Sequence, residues 1–160
     1  NSESDIGPLA RPDLLEELDE QVKKSVAVGA KIEIGGKRIP GDGYYYEPTL
    51  ISGVSPDMTL FKDETFGPVL AVIKAKNEAD AIRLANDSIY GLGGSLWTRD
   101  ITKATQLARQ IQSGAVFVNG MTKSDPRLPF GGIKRSGYGR ELSHYGIKEF
   151  VNIKTIWVGK

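Results

Sequence analysis

The chain has 160 residues, with 21 Lys plus Arg against 20 Asp plus Glu, one His and no Cys. So balanced a charge lacks the basic excess that holds a phosphate backbone, and without Cys, and with His144 as the only His, there is little from which to build a disulfide framework, a zinc finger or an Fe–S site. The longest aliphatic run, Val69 to Ile73, is far below the roughly 18 residues of a membrane span, so one cytoplasmic domain with no nucleic-acid, metal or membrane partner is expected.

In chain order, Pro12 to Val28 places Leu14, Leu15, Leu18, Val22 and Val26 on one helical stripe, with acidic residues early and Lys23 and Lys24 late, as the macrodipole favours. Gly29 is a natural stop. Lys31 to Ile34 reads as a short strand ending at Gly35-Gly36, and Tyr44 to Val54 as an extended stretch broken by Pro48 and Gly53. Val69 to Ala75 is an aliphatic strand, after which Asn77 opens a helix carrying Ala79, Ile82, Leu84 and Ala85, with Asp80 in its first turn. Ser95 to Thr98 is the next strand. Asp100 caps a further helix, with Ile101, Ala104, Leu107, Ala108 and Ile111 on one face, and Ala115 to Asn119 follows as a strand. Glu141 to Phe150 reads as a short helix and Val151 to Val158 as a terminal strand. Strands alternating with helices of this length predict an α/β fold with a mostly parallel sheet covered by helices. A terminal strand can close the domain's own sheet or pair with another chain.

Glycine is the one clear excess, 19 of 160 residues, against a usual share of roughly 7%. The dinucleotide fingerprint fails in each place it begins: Gly41 and Gly43 reach Tyr46, Gly91 and Gly93 reach Leu96, and Gly137 and Gly139 reach Leu142. Gly132 and Gly137 have phosphate-loop spacing, but Tyr138 stands where the Lys belongs. Tight turns and helix ends are the plainer reading of these glycines.

Two loops are more specified than turns require. In Asp63 to Val69 (DETFGPV), an extended backbone would put Glu64 and Phe66 on one side. A carboxylate there could accept both hydroxyls of a ribose diol, and the ring could pack on a heterocycle. A surface Glu beside a core Phe fits the same pattern. The second loop, Ser124 to Leu142 (SDPRLPFGGIKRSGYGREL), follows a strand at the sheet edge where α/β proteins place ligands. Long loops of this kind in compact domains tend to be functional.

Taken together, GPVL, YGLGGSLWT, VFVNG and PFGGIKRSGYGRELSHYGIKEF, with the terminal strand, resemble the C-terminal part of the aldehyde dehydrogenase superfamily over essentially the whole chain. The stretch NGMTKSDPRLPFGGIKRSGYGRELSHYG is most similar to succinate-semialdehyde dehydrogenases. The resemblance implies a three-layer α/β catalytic domain over residues 1–149 and an oligomerisation strand over 150–160. It implies oxidation of an aldehyde with NAD or NADP, by a Cys nucleophile and a Glu general base placed upstream of Asn1.

By the same resemblance, Glu64 holds the nicotinamide ribose hydroxyls and Phe66 packs beside the nicotinamide. Phe130 lines the substrate tunnel, and Ser124 offers a hydroxyl to the substrate's distal carboxylate. Glu141 belongs to a proton relay and Arg140 is a structural residue near a subunit interface. Val151 to Val158 pairs with a neighbouring subunit in a homodimer or homotetramer. The resemblance leaves two rivals: a non-catalytic oligomerisation module, and an aldehyde dehydrogenase with no carboxylate preference.

Overall fold

The computed structural model describes residues 5–160, which form two compact units divided between Ala81 and Ile82. Each unit has its own sheet.

In the first unit, helix α1 (Pro12–Ala27) is followed by strand β1 (Lys31–Ile34), strand β2 (Thr49–Ser52), the one-turn helix α2 (Thr59–Lys62) and strand β3 (Val69–Ala71). The strands lie in the order β1-β2-β3, with β1 antiparallel and β3 parallel to β2. Pro12 can start α1 because the first helical N–H has no partner to lose. Leu15, Leu18 and Val22 of the expected stripe are buried against Tyr46, Ile51, Val54, Met58 and Leu60.

Val26 is not in that core; it is exposed, and the buried face of α1 continues through polar residues instead. Asp19, only 4% exposed, accepts from Lys23 Nζ at 2.7 Å, Arg38 Nε at 2.9 Å and the Tyr46 hydroxyl at 3.3 Å. Burial works against the Asp19 carboxylate, but Lys23 and Arg38 outweigh it and hold its pKa below the ordinary value. Burial and the Asp19 charge together push the Tyr46 hydroxyl up to about 12.

Helix α3 (Glu78–Asn86) spans the division. Asn77 Oδ1 accepts from Asp80 N at 2.9 Å, meeting one orphan donor of the first turn, and Asp80 in turn accepts from Lys76 N, just ahead of the helix, at 3.0 Å. The second unit contains strand β4 (Gly93–Leu96), helix α4 (Ile101–Ala108), strand β5 (Ala115–Val118) and helix α5 (Ser143–Glu149), with a 3-10 turn at Lys134–Ser136. Strands β4 and β5 pair in parallel through the α4 crossover. Asp100 caps α4, its Oδ1 accepting from Lys103 N at 2.9 Å. Parallel pairing continues one residue past β5 because Asn119, at φ 53°, turns its amide onto Thr98: Oδ1 accepts from Thr98 N and Nδ2 donates to Thr98 O, both at 2.8 Å.

The end of the chain departs from expectation in two places. Helix α5 begins at Ser143, so Glu141 lies before it. Val151–Val158 forms no strand within this chain, and its residues are exposed. Its alternating pattern is strand-like, but a strand exists only where a neighbouring edge supplies ladder hydrogen bonds, and no element of the second unit does so.

Candidate functional site

The candidate residues fall into one group in each unit. In the first, α2 ends at Lys62 and residues 63–68 lead into β3 as a tight loop. The loop is not the plain extended segment that spacing suggested. Gly67 N donates to Thr65 O at 3.1 Å and Val69 N to Gly67 O at 2.8 Å, two successive one-residue turns around Phe66 and Pro68. Pro68 has a fixed φ and no N–H to donate, and Gly67 lies close against Leu18 of α1, where a side chain would meet Leu18 Cδ2 at 2.5 Å.

Within this loop Glu64 is exposed, while its backbone carbonyl accepts from Gln21 Nε2 at 3.1 Å. The Phe66 ring is 63% exposed, so the reading of a surface Glu beside a core Phe does not hold. Phe66, Gly67 and Pro68 border a cavity of about 520 Å³ whose other wall is Ile6 to Ala10 with Leu14. An aromatic ring kept out of the core, beside a cavity and two residues from a free carboxylate, can stack on a heterocycle whose hydroxyls the carboxylate accepts.

The second unit brings together Phe130 and Glu141, two candidates 11 residues apart. They form an antiparallel bridge: Phe130 N donates to Glu141 O at 2.9 Å and Glu141 N to Phe130 O at 2.8 Å. The Glu141 side chain is exposed. Arg140 secures the bridge from behind, its Nη1 donating to Gly132 O at 2.9 Å and Gly139 O at 2.5 Å. Immediately after Glu141, Leu142 and Ser143 both have positive φ, at 63° and 53°, a costly pair for non-Gly residues.

Phe130 lines a cavity of about 250 Å³ with β5, Leu128 and Pro129. Lys123 and Asp125 also line it; Ser124 between them is exposed and is not part of its lining. Arg127 grips Asp125 through Nε at 2.9 Å and Nη2 at 2.7 Å, and this guanidinium with the Arg127 N–H holds the Asp125 carboxyl far below the usual range. Asp125 is thus a brace for the loop and stays ionised. Arg127, Gln21 and Asn119 were not visible as site residues from the sequence. Asp-Pro-Arg was the only local signal among them, a turn with opposite charges two residues apart.

Among the described residues no helix is long and apolar enough to cross a membrane, and no group of three His, Cys, Asp or Glu side chains could hold a metal ion. Residues 1–156 match the model of the aldehyde dehydrogenase family. The chain belongs to that family. It is 49% identical over 157 residues to the succinate semialdehyde dehydrogenase (NAD(P)+) Sad of Escherichia coli strain K12, covering 98% of this chain and 34% of that protein. A probable succinate-semialdehyde dehydrogenase (NADP+) of Synechocystis is 52% identical over 157 residues, covering 98% of this chain and 35% of its own length. Among solved structures, the NAD+ complex of an aldehyde dehydrogenase from Bacillus cereus superposes with a TM-score of 0.93 at 35% identity, over 99% of this chain and 32% of that one. The α/β fold is therefore that of an aldehyde dehydrogenase, and the chain spans about a third of the length of these relatives.

Proposed function

We propose that this chain supplies part of the active site of an NAD- or NADP-dependent aldehyde dehydrogenase that oxidises succinate semialdehyde to the dicarboxylate. The observation that carries the reading is the loop at 63–68, which keeps the Phe66 ring 63% exposed next to an exposed Glu64 carboxylate. A pinned aromatic left open to solvent serves a planar ligand better than it serves the core.

The residues present fit a nicotinamide riboside. Glu64 would accept the two ribose hydroxyls and Phe66 would cover one face of the ring, which orients the coenzyme and keeps water from that face. When bound, the coenzyme supplies the two-electron acceptor for the aldehyde carbon. Phe130 would form one wall of the aldehyde passage, held by its bridge to Glu141. Glu141, exposed beside that bridge, can carry a proton away from the wall.

Specificity for a substrate with a distal carboxylate is assigned to Ser124. Its side chain is exposed and its hydroxyl can donate to that carboxylate, a charge-assisted bond of about 1.5–3 kcal/mol. In the full-length polypeptide that carries this chain, Ser124→Ala is expected to raise KM for succinate semialdehyde about tenfold or more, with KM for propanal unchanged. Equal KM values for succinate semialdehyde before and after the substitution would remove the carboxylate role and favour a general aldehyde dehydrogenase.

Residues 151–158 are read as a strand added to the sheet of a second copy. Ile153, Ile156, Trp157 and Val158 are each at least 70% exposed, an apolar stretch that pairing would cover. In a crystal structure of the full-length polypeptide this segment is expected in a ladder across a subunit boundary; a segment paired within its own subunit would contradict the reading.

A further inference from the structure

One face of α1 touches the segment from α2 to β3 at three successive points. Ser25 Oγ accepts from Leu60 N at 3.1 Å, Gln21 Nε2 donates to Glu64 O at 3.1 Å, and Leu18 lies against Gly67, where an added Cβ would come within 2.5 Å of Leu18 Cδ2. Residues 18, 21 and 25 are spaced three and four apart, so they line up along the helix. Their partners run the opposite way, from 60 through 64 to 67. The helix therefore holds the 63–68 loop at Glu64 and Gly67 and the turn of α2 before it at Leu60, with Gln21 at the centre.

Gln21 is an unusual residue for that place. It is 4% exposed, and its Oε1 is buried without a hydrogen-bond partner among the described residues. A buried amide that leaves one end unsatisfied works against stability. The amide cannot turn over to improve this, because Oε1 would then face the Glu64 carbonyl oxygen. Leu or Met would fill the volume without the orphan acceptor. What Gln adds is the single N–H that fixes Glu64.

We propose that Gln21 is a positioning residue for coenzyme binding: its N–H on the Glu64 carbonyl sets the direction in which the Glu64 carboxylate and the Phe66 ring meet the nicotinamide riboside. The inference rests on the reading of Glu64 and Phe66 given above. A retained orphan acceptor marks a group kept for geometry.

The test compares Gln21→Met with the wild type in the full-length polypeptide. Met matches the length and fills the space, and it removes both the donor and the orphan acceptor. NADH or NADPH binding by fluorescence titration is expected to weaken about tenfold, and KM for the oxidised coenzyme to rise in parallel. KM for the aldehyde and kcat at saturating coenzyme should stay within about twofold, and Tm should not fall, since an unsatisfied group has gone. Gly67→Ala gives a second route to the same readout, because it moves the loop through its contact with a flexible Leu18 methyl should Gln21→Met fail to fold.

Unchanged coenzyme affinity in Gln21→Met, or a parallel rise of both KM values with a lower Tm, would overturn the proposal and leave Gln21 a packing residue. Glu64→Gln separates the two levels of the argument. If it weakens coenzyme binding while Gln21→Met does not, the Gln21 inference alone is wrong. If Glu64→Gln binds coenzyme as the wild type does, the reading of the loop fails and the inference with it.

Discussion

Alanine at position 114 is expected to destabilise the second unit strongly. The added methyl would overlap the Gly131 carbonyl oxygen and lie 2.7 Å from its carbon and 3.2 Å from Gly132 Cα. All three are backbone atoms, so no rotamer change relieves the clash. Displacing the chain also breaks a junction, since Gly114 N and Ile133 N both donate to Gly91 O at 3.0 Å. Phe130 precedes the displaced residue directly, so the same shift moves the proposed aldehyde wall. Overpacking of this kind costs about 3 kcal/mol or more, a large part of the roughly 5–15 kcal/mol that holds a typical protein together. Gly120→Ala is the control, because the nearest atom to its methyl is 3.9 Å away. Soluble yield and thermal melting should separate the two variants clearly. Equal melting of Gly114→Ala and the wild type would show that the close crossing of residues 114 and 131 is wrong.

The second large effect is at Asp19. Its side chain is 6% exposed, against 42% for Arg38 and 72% for Lys23, so in Asp19→Ala the two cations can turn to solvent. Tyr46, 3% exposed, cannot, and its hydroxyl is left buried without that acceptor. The expected loss is about 2–4 kcal/mol by urea denaturation. Adding Tyr46→Phe removes the orphan hydroxyl and should recover part of it, so the two substitutions will not add. A loss below about 0.5 kcal/mol, the size of an exposed ion pair, would contradict the buried cluster.

The pH dependence has two edges. The Asp19 pKa is lowered in the folded protein, so its contribution is present above the unfolded value of about 4 and is lost as pH falls through the depressed folded value. Tyr46 has the opposite sign. Its pKa is raised to about 12, so its contribution is present below the unfolded value of about 10 and disappears as pH rises toward the folded one. The double variant should lose both edges.

The periodic elements were legible from the residues: α1, β1 and the Asn77 and Asp100 helix starts lie where apolar spacing and capping residues put them, and β4 and β5 pair in parallel around α4, with β4 starting at Gly93 rather than Ser95 and Ile101 of the expected α4 face exposed. The one-turn helix α2 was not, since four residues are too few to show a period of 3.6. The polar half of the α1 face was also hidden. Asp19, Gln21 and Ser25 look like surface residues until Tyr46, Glu64 and Leu60 arrive from 27 to 43 residues away. Glycine was counted correctly and read too narrowly: phosphate loops were excluded on spacing, but Gly67, Gly114 and Gly131 mark close crossings of chain that spacing cannot reveal. For the candidate site, the identities of Glu64, Phe66, Ser124, Phe130 and Glu141 came from motifs. The bridge that joins Phe130 to Glu141 was hidden, because it pairs single residues 11 apart within a loop that has no strand pattern.

A crystal structure of the full-length polypeptide with NAD+ or NADP+ tests the central claim most directly. The account predicts both nicotinamide ribose hydroxyls within hydrogen-bond distance of the Glu64 carboxylate, with the Phe66 ring against the nicotinamide and the Gln21 amide still on the Glu64 carbonyl. A nicotinamide riboside bound away from residues 63–68, with Glu64 left in solvent, would contradict it.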